Sequence, residues 1–331
     1  MLKKLLVPFL ILALFMVVGC DKDNPTEPEQ KTEFELLAEL GDVYFTSYTN
    51  AAGAGVNTTM SALYDLLTDT DASNDPYMID FRSAADYAAG YIKGTVNMTY
   101  DNLVAKIDDG TIPKDKPIVN ICYSGQGASR ATALLNMLGY QAQNLLFAYC
   151  GVDTGITKAD KWVGQTAADE YTSMETTANT TTTTYDFPVL STGEETAEAI
   201  IKARWTAMLS DDWTASATDV WDNPSNYFII NYWPASEYAN PGHIPGAYQF
   251  TPKSSLKTTE MLNLLPTDKT IVVYCYTGQT SAQVVTYLRI LGYDAQSLLY
   301  GVNGFYYHGL DAIGHQYKAP APDIYDAVLE P

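Results

Sequence analysis

Two cysteines occupy the same kind of corner in this chain, each between an apolar stretch and a helix-like stretch. Cys122 lies in VNICYSGQGASRAT, and Cys275 lies in VVYCYTGQTSAQVV. A thiol at such a corner is close to the free N–H groups that begin a helix, and the helix dipole lowers its pKa. Gly125 and Gly278 each follow three residues later and allow a tight turn. The pattern predicts a nucleophilic sulfur that becomes, or meets, an anion.

The two corners belong to a duplication. The stretch LLNMLGYQAQNLLF aligns with YLRILGYDAQSLLY, and MIDFRSAADYAAGYIKGTVNMT aligns with FIINYWPASEYANPGHIPGAYQFT with small gaps. In the second copy, NYFIINY, TIVVYCY and AQSLLYG have the pattern of short strands, whereas PASEYA and SAQVVTYLRILGY have helical spacing. Alternating strands and helices predict an α/β fold in each copy, with a mostly parallel sheet flanked by helices on both faces.

The corner itself resembles the active loop of rhodanese domains, which has the pattern C-x-x-G-x-(R/T) between a strand and a helix. Residues 275–280 match every defined position of that pattern. Residues 122–127 match until the last position, where Gly127 replaces arginine or threonine.

Two further signatures of the same family accompany the loops. The sequence G-H-I-P-G-A is intact at residues 242–247 and altered at residues 90–95. The sequence D-x-R is present at residues 80–82, and residues 231–233 read Asn-Tyr-Trp in its place. The resemblance covers nearly everything after residue 35 except the connector between the copies.

The resemblance implies a sulfurtransferase that works through a cysteine persulfide, chiefly on Cys275, with Cys122 as a second catalytic candidate. A donor of the thiosulfate or 3-mercaptopyruvate type would give its sulfur to the cysteine, and a thiol or cyanide-type acceptor would take it. Neither a metal nor a cofactor is expected. The residues expected to cradle the substrate are Tyr276, Thr277, Gly278, Gln279 and Thr280, and Tyr123, Ser124, Gly125, Gln126 and Gly127.

A second function stays open, namely a catalytically silent pair that binds sulfur species or a protein partner. Gly127 lacks a side-chain donor, Trp233 replaces the arginine of D-x-R, and Tyr123 and Tyr276 stand where thiosulfate-using members tend to carry a basic residue. Cys150 is expected to be either a small core residue or a disulfide partner of Cys122.

Two other cysteine chemistries are disfavoured. All three histidines follow residue 240, so the first copy contains no imidazole for a Cys–His dyad. His243 is expected to be structural, and His308 and His315 are expected at the surface. Cysteine phosphatases need an arginine at a position that is Ala128 or Ser281 here.

The beginning of the chain predicts a membrane anchor. Two lysines, an apolar stretch and Val17-Val18-Gly19-Cys20 resemble the signal and lipobox of bacterial lipoproteins, so Cys20 is expected to carry lipid. An ordinary signal peptide is the alternative. The predicted organisation is a signal at 1–20, a tether at 21–35, the first copy at 36–165, a threonine-rich linker at 166–190 and the second copy at 191–331.

Helix starts and charge complete the prediction. Thr32 and Thr192 are each followed three residues later by glutamate, which predicts capping boxes that open a helix in each copy. The net charge of −20 disfavours nucleic acid as a partner. The expected location is the cell envelope, outside the cytoplasm, and the identity of any protein partner stays open.

Overall fold

The computed structural model of the protein contains two five-stranded sheets with flanking helices, and both sheets have the same strand order. The predicted signal, the lipidation site Cys20 and most of the tether lie outside the described residues. The structure describes residues 31–47, 49–50, 52–152, 161–162, 165, 171–319 and 325–330.

The first half begins with a helix and then alternates short strands with helices. Its elements are α1 (Glu33–Ser47), β1 (Asn57–Thr58), α2 (Met60–Thr68), β2 (Tyr77–Asp80), α3 (Ala84–Ala88), β3 (Tyr91–Ile92), β4 (Thr95–Asn97), α4 (Leu103–Asp108), β5 (Ile118–Ile121), α5 (Gln126–Met137) and β6 (Ala142–Leu145).

The second half repeats this order without counterparts of β3 and α4, and it adds a last short strand. Its elements are α6 (Ala197–Met208), β7 (Thr214–Ala215), α7 (Ala217–Asp222), β8 (Phe228–Asn231), α8 (Ala235–Ala239), β9 (Tyr248–Gln249), β10 (Ile271–Tyr274), α9 (Gln279–Ile290), β11 (Ala295–Leu298) and β12 (Leu329–Glu330).

The two sheets have the same strand order, β1-β6-β5-β2-β4 and β7-β11-β10-β8-β9. Every pairing within them is parallel. The central strands β5 and β10 are buried at all four positions, as their apolar sequences require when helices cover both faces. The predicted fold class is therefore confirmed.

The helices that follow the two cysteine corners form a layer between the sheets. Nearly every residue of α5 and of α9 is buried, so neither helix has a solvent face. One apolar cluster includes Leu134 of α5, Leu288 of α9 and Ile201 of α6. The two copies thus share one central core, and the residues from Thr32 onward form one compact unit.

Helix α1 and strand β12 each contact the opposite half of the chain. Tyr44 of α1 donates a hydrogen bond to Gln283 of α9, and Phe45 packs 4.7 Å from the ring of Tyr287. The strand β12 pairs antiparallel with β3, with Leu329 opposite Ile92.

The capping box predicted at Thr32 is present. The Glu35 N–H donates to the Thr32 hydroxyl at 3.2 Å, and the Glu35 carboxylate accepts from the Thr32 N–H at 2.8 Å. Helix α1 starts at Glu33, so residues 33–35, assigned to the tether, are its first turn.

The capping box predicted at Thr192 is wrong. Helix α6 begins at Ala197, where the Thr196 hydroxyl accepts from the Ala199 N–H. The Thr192 N–H instead donates to the Glu33 carboxylate at 2.9 Å, which draws this segment to the start of α1.

The described part of the predicted linker has neither helices nor regular strands. It runs beside the second copy and pairs with it through isolated bridges between Glu175 and His243 and between Asn179 and Tyr248. Among the described helices, we find none with the length and apolar character needed to cross a membrane.

Candidate active site

The first corner holds the thiol of Cys122 at the beginning of α5. Gly125 is the N-cap of that helix and has a φ of 83°, which favours glycine. The N–H groups of Gly125 and Ala128 donate hydrogen bonds to the Cys122 sulfur at 3.2 and 3.3 Å. Two backbone dipoles therefore point at the sulfur, as the sequence pattern predicts for a site that holds negative charge.

The second corner has the same backbone course but different donors. Gly278 has a φ of 76° and precedes α9. The Cys275 sulfur accepts from the Ser281 N–H at 3.4 Å, and its thiol donates to the Ser281 hydroxyl at 3.5 Å. That hydroxyl also lies 2.8 Å from the hydroxyl of Ser297. The second thiol thus contacts the hydroxyl of Ser281, at a position that is Ala128 in the first copy.

Both thiols are nearly inaccessible to solvent, with exposed fractions of 4% for Cys122 and 3% for Cys275. Burial raises the pKa of Cys122, because the charged thiolate is poorly solvated, and backbone amides of the loop act in the opposite direction. A protonated thiol is therefore the resting form of Cys122 at neutral pH. The lowered pKa predicted from the helix dipole is therefore wrong for Cys122, where burial outweighs the amide dipoles, and its conversion to a nucleophile requires removal of that proton.

Gly127 stands where the family pattern has arginine or threonine. The space that such a side chain would occupy beside the sulfur is filled by Tyr100. A Cβ atom built on Gly127 would lie 2.5 Å from the Tyr100 hydroxyl and 3.7 Å from the Cys122 sulfur. Burial raises the pKa of Tyr100 well above its usual value, and the negative charge of a Cys122 thiolate acts in the same direction. The hydroxyl therefore stays protonated and can donate to a sulfur anion.

Tyr123, the residue after the first cysteine, is fixed by a carboxylate. Its hydroxyl donates to Asp86 of α3 and accepts from the Ser83 N–H at 3.0 Å. The ammonium of Lys161 lies 5.6 Å from the Tyr123 ring centre. The loop thus has a nearby cation, although the position after the cysteine is not basic.

Tyr276 has an equivalent environment in the second copy. Its hydroxyl donates to Glu237 of α8, and its ring stacks between Trp233 at 4.7 Å and His315 at 3.7 Å. His315 lies at the surface, as expected, with 37% of its side chain exposed, and it also lies 3.7 Å from the Glu237 carboxylate. The internal alignment, which pairs Asp86 with Glu237, is the signal that could have found both carboxylates.

The D-x-R segment of the first copy forms a buried ionic network. Arg82 pairs with Asp80 at 2.8 Å, and its guanidinium lies 3.4 Å from the ring centre of Tyr149. The Tyr149 hydroxyl donates to Asp80 and accepts from the Ile92 N–H. This network holds the end of β2 against the β3 turn.

The second copy replaces that network with a neutral one. Asn231 donates to the Tyr274 hydroxyl at 2.8 Å, and this hydroxyl also accepts from the Ile244 N–H at 3.1 Å. Trp233, which is fully buried, takes the position of the arginine. The loss of D-x-R is therefore compensated by a tyrosine from the neighbouring strand.

The two loops contact each other through an exchange of glutamines. The Gln126 side-chain oxygen accepts from the Tyr300 N–H at 2.8 Å, in the second copy. The Gln279 side-chain oxygen accepts from the Phe147 N–H at 2.9 Å, in the first copy. These two predicted cradle residues thus send their side chains into the opposite copy, a feature that the sequence pattern did not predict.

The glycines of the loops make this exchange possible. A Cβ atom on Gly125 would lie 2.2 Å from the Gln279 side-chain oxygen, and one on Gly278 would lie 2.3 Å from that of Gln126. The side-chain amides of these glutamines also donate to Ser124 and Thr277, each at 3.3 Å. The hydroxyl groups of Ser124 and Thr277, two of the predicted cradle residues, thus already accept hydrogen bonds from the crossing glutamines.

Two other sequence predictions can be located. Cys150 is a buried core residue whose thiol donates to the Tyr123 carbonyl at 3.0 Å, and none of the three cysteines that the structure describes forms a disulfide.

His243 is fully buried and structural, but it has an acid neighbour that the sequence did not reveal: its Nε2 lies 3.5 Å from Glu175. Among the described residues, no group of histidine, cysteine and acidic side chains is arranged to hold a metal ion.

Comparison with known proteins agrees with this architecture. Residues 59–151 and 216–308 each match the family model of the rhodanese-like domain. The chain therefore belongs to the rhodanese-like family and carries two such domains. No curated protein matches the chain at a significant level.

Several solved structures are similar to parts of the chain. A rhodanese-related protein from Thermoplasma volcanium is 26% identical over 28% of this chain and 88% of its own, with a TM-score of 0.25. A thiosulfate sulfurtransferase from Pseudomonas aeruginosa is 15% identical over 88% of this chain and 50% of its own, with a TM-score of 0.30. SseA from Escherichia coli, a 3-mercaptopyruvate sulfotransferase, is 17% identical over 73% of this chain and 97% of its own, with a TM-score of 0.27. Because all three TM-scores are low, the family assignment rests on the two matched domains.

Proposed function

We propose that the protein is a sulfurtransferase that moves sulfane sulfur from a small donor to a thiol or cyanide-type acceptor through a cysteine persulfide. With thiosulfate, the cysteine thiolate attacks the outer sulfur, the S–S bond breaks, and sulfite leaves with its electron pair. With 3-mercaptopyruvate, the C–S bond breaks and pyruvate leaves as its enolate. The acceptor then attacks the outer sulfur of the persulfide and regenerates the cysteine thiolate.

The observation that carries this proposal is the pair of N–H donors on the Cys122 sulfur, from Gly125 and Ala128. Donors already aimed at a sulfur can stabilise a persulfide anion without rearrangement. The sequence signatures rank Cys275 first, but its sulfur accepts only from Ser281 among the described N–H groups. We therefore propose Cys122 as the more reactive persulfide site and Cys275 as the second.

The test is to incubate the purified protein with thiosulfate or with 3-mercaptopyruvate and to weigh the peptides that contain each cysteine. We expect a gain of one sulfur on the Cys122 peptide, and a smaller yield on the Cys275 peptide. The gain should disappear on treatment with cyanide, which removes sulfane sulfur. If neither peptide gains mass with any donor, the enzyme proposal is wrong.

One observation favours the second candidate function, a catalytically silent binding module. Both thiols are at least 96% buried, and the two loops are packed against each other through Gln126 and Gln279. Such loops would hold a sulfur species or a partner without turnover. That function predicts stoichiometric binding of thiosulfate, measured by calorimetry, with no sulfite released.

We further propose that Cys20 tethers the protein to a membrane through lipid, facing out of the cytoplasm. Support comes from the lipobox-like ending of the apolar stretch at residues 17–20. Metabolic labelling with a palmitate analogue should mark the full chain but not its Cys20→Ser variant. An unlabelled wild-type chain would leave an ordinary signal peptide as the explanation.

A further inference from the structure

A cavity of about 260 Å³ lies at the carboxyl edge of the first sheet. Its walls include residues 81–83, which follow β2, and residues 99–101, which follow β4. Arg130 of α5 and Leu209 complete the lining. Cys122 follows β5 of the same parallel sheet, so the cavity and the thiol share the edge at which such sheets bind ligands.

Arg130 is the unusual member of this lining. Its side chain is only 4% exposed, yet within the described part of the chain no carboxylate pairs with it. Its Nε and Nη2 groups have no hydrogen-bond partner among the described residues. The guanidinium lies 4.7 Å from the ring centre of Trp213 and 5.5 Å from that of Trp205.

Contact with aromatic rings offsets part of the cost of burying this charge, but it makes no hydrogen bond. Burial lowers the pKa of Arg130 to about 10, so the group remains charged at neutral pH. A buried charge whose N–H groups have no acceptors is strongly unfavourable. An anion in the cavity would supply the missing negative charge beside this guanidinium.

A second arginine of the same lining also has an unused donor. The Arg82 side chain is fully buried and paired with Asp80, but its Nη1 group has no partner among the described residues. Two arginines with unfilled hydrogen-bonding capacity are therefore among the residues around one small cavity, although the Arg82 guanidinium is itself fully buried behind the lining. The acidic residue of the lining, Asp101, is exposed to solvent.

Tyr100 connects this cavity with the thiol. Its ring belongs to the lining, and its hydroxyl lies beside the position of a Gly127 Cβ, close to the Cys122 sulfur. In the second copy, Trp233 replaces Arg82 and Gln283 replaces Arg130. The arrangement is thus specific to the first copy.

We propose that this cavity is an oxyanion subsite, which binds the carboxylate or sulfur-oxyanion end of the molecule that exchanges sulfur at Cys122. Its role beside Cys122 rests on the proposed function, whereas anion binding in the cavity does not. Arginine suits both types of oxyanion, since its planar fork can donate two parallel hydrogen bonds.

The test is a titration of the full chain with sodium sulfate and, separately, with sodium acetate, each at constant ionic strength maintained with chloride. Binding is followed by tryptophan fluorescence, because Trp205 and Trp213 lie beside Arg130. We expect saturable binding of at least one anion by the wild-type protein. The preferred anion distinguishes a tetrahedral sulfur oxyanion from a carboxylate.

The Arg130→Met variant should bind at least about tenfold more weakly, since it loses a charge-assisted contact. Arg204→Met is the matched control: it removes the same charge, and within the described residues Arg204 donates only to the backbone carbonyls of Arg289 and Ile290. Its binding should remain at the wild-type level. Arg130→Lys keeps the charge and should still bind, more weakly than the wild type.

Four results would overturn the subsite: no saturable binding by the wild type, unchanged binding by Arg130→Met, equal losses in Arg130→Met and Arg204→Met, or wild-type affinity in Arg130→Lys. Cys122→Ser should bind the anion like the wild type. Anion binding that persists in Cys122→Ser while no persulfide forms in the wild type would retain the subsite and reject the sulfurtransferase proposal.

Discussion

The two cysteine corners have the same strand, turn and helix, but they hold their sulfurs by different means. In the first copy, backbone N–H groups of Gly125 and Ala128 point at Cys122. In the second copy, the hydroxyl of Ser281 shares the contact with Cys275. The copy that better preserves the family signatures therefore has the poorer set of amide donors. Preservation of a motif and preorganisation of a site are separate properties in this chain.

The same comparison explains how the second copy tolerates the loss of D-x-R. In the first copy, the Tyr149 hydroxyl accepts the Ile92 N–H, and in the second, the Tyr274 hydroxyl accepts the Ile244 N–H. The two tyrosines come from different positions of the repeat but satisfy the same backbone group. The buried N–H group must have an acceptor in both copies, whereas the residue that provides this acceptor differs between them.

The largest expected difference between the corners is catalytic. Cys122→Ser should lower thiosulfate turnover by about a hundredfold or more, because the donors at this sulfur are those expected to stabilise the persulfide. Cys275→Ser should lower it by less than about tenfold, since a corner with fewer donors contributes less. Turnover is measured as cyanide-dependent thiocyanate formation. Cys150→Ser, a core change that keeps a donor for the Tyr123 carbonyl, is the control. If Cys275→Ser instead caused the larger loss of turnover, the family signatures would predict the more reactive cysteine better than the amide donors do.

The next largest expected effect is on the free energy of unfolding, at Gly127, the sixth position of the first loop. Gly127→Thr should lower the free energy of unfolding by about 1–3 kcal/mol, because its Cβ would overlap the Tyr100 hydroxyl. In Gly127→Thr/Tyr100→Phe, part of this loss should be recovered. Thr280→Gly, the opposite change in the second copy, relieves no such contact. Chemical denaturation checks all three, and equal stability of Gly127→Thr and the wild type would contradict the account of Tyr100.

The exchanged glutamines provide a third comparison. Gln279→Leu leaves the Phe147 N–H without its acceptor and should cost about 1–3 kcal/mol of stability. It should alter alkylation of Cys122 more than that of Cys275, because its side chain packs on the first loop. Gln126→Leu should do the reverse, so each variant is the control for the other. Peptide-resolved alkylation rates measure the effect, and identical responses of both thiols in both variants would exclude cross-copy positioning.

The smallest expected effect is the pH dependence of Cys122. Burial raises its pKa in the folded protein, so alkylation should still be accelerating at pH values where an ordinary thiol, with a pKa of about 8.5, has levelled off. The unfolded thiol ionises first as pH rises. The stability contributed by the buried neutral thiol is therefore fully present below that ordinary pKa and is lost as pH rises towards the folded value. An alkylation profile that levels off near the ordinary value would contradict this assignment.

Much of the fold could be predicted from the sequence because the signals are local and repeated. The apolar runs that became β8, β10 and β11 are short and bounded by turn residues, and the glycines at 125 and 278 mark the starts of α5 and α9. The second capping box failed for a tertiary reason, since Glu33 captures the N–H of Thr192. Local propensity cannot reveal a partner that lies 159 positions away.

The candidate site was predicted less completely. The loop residues follow from the motif, but Tyr100 and the crossing of Gln126 and Gln279 depend on how the two copies pack. Asp86 and Glu237 could have been found, because the internal alignment places an acid at equivalent positions. The buried state of both thiols depends on the shared layer of α5 and α9, which no single copy encodes.

The pairing of β12 with β3 has a consequence for biosynthesis. A nascent chain leaves the ribosome with its early residues first, and domains generally fold in that order. Here Leu329 supplies the partner of Ile92, and Val328 packs in the same outer cluster. The half of the protein that emerges first can therefore reach its final form only after translation has passed residue 330.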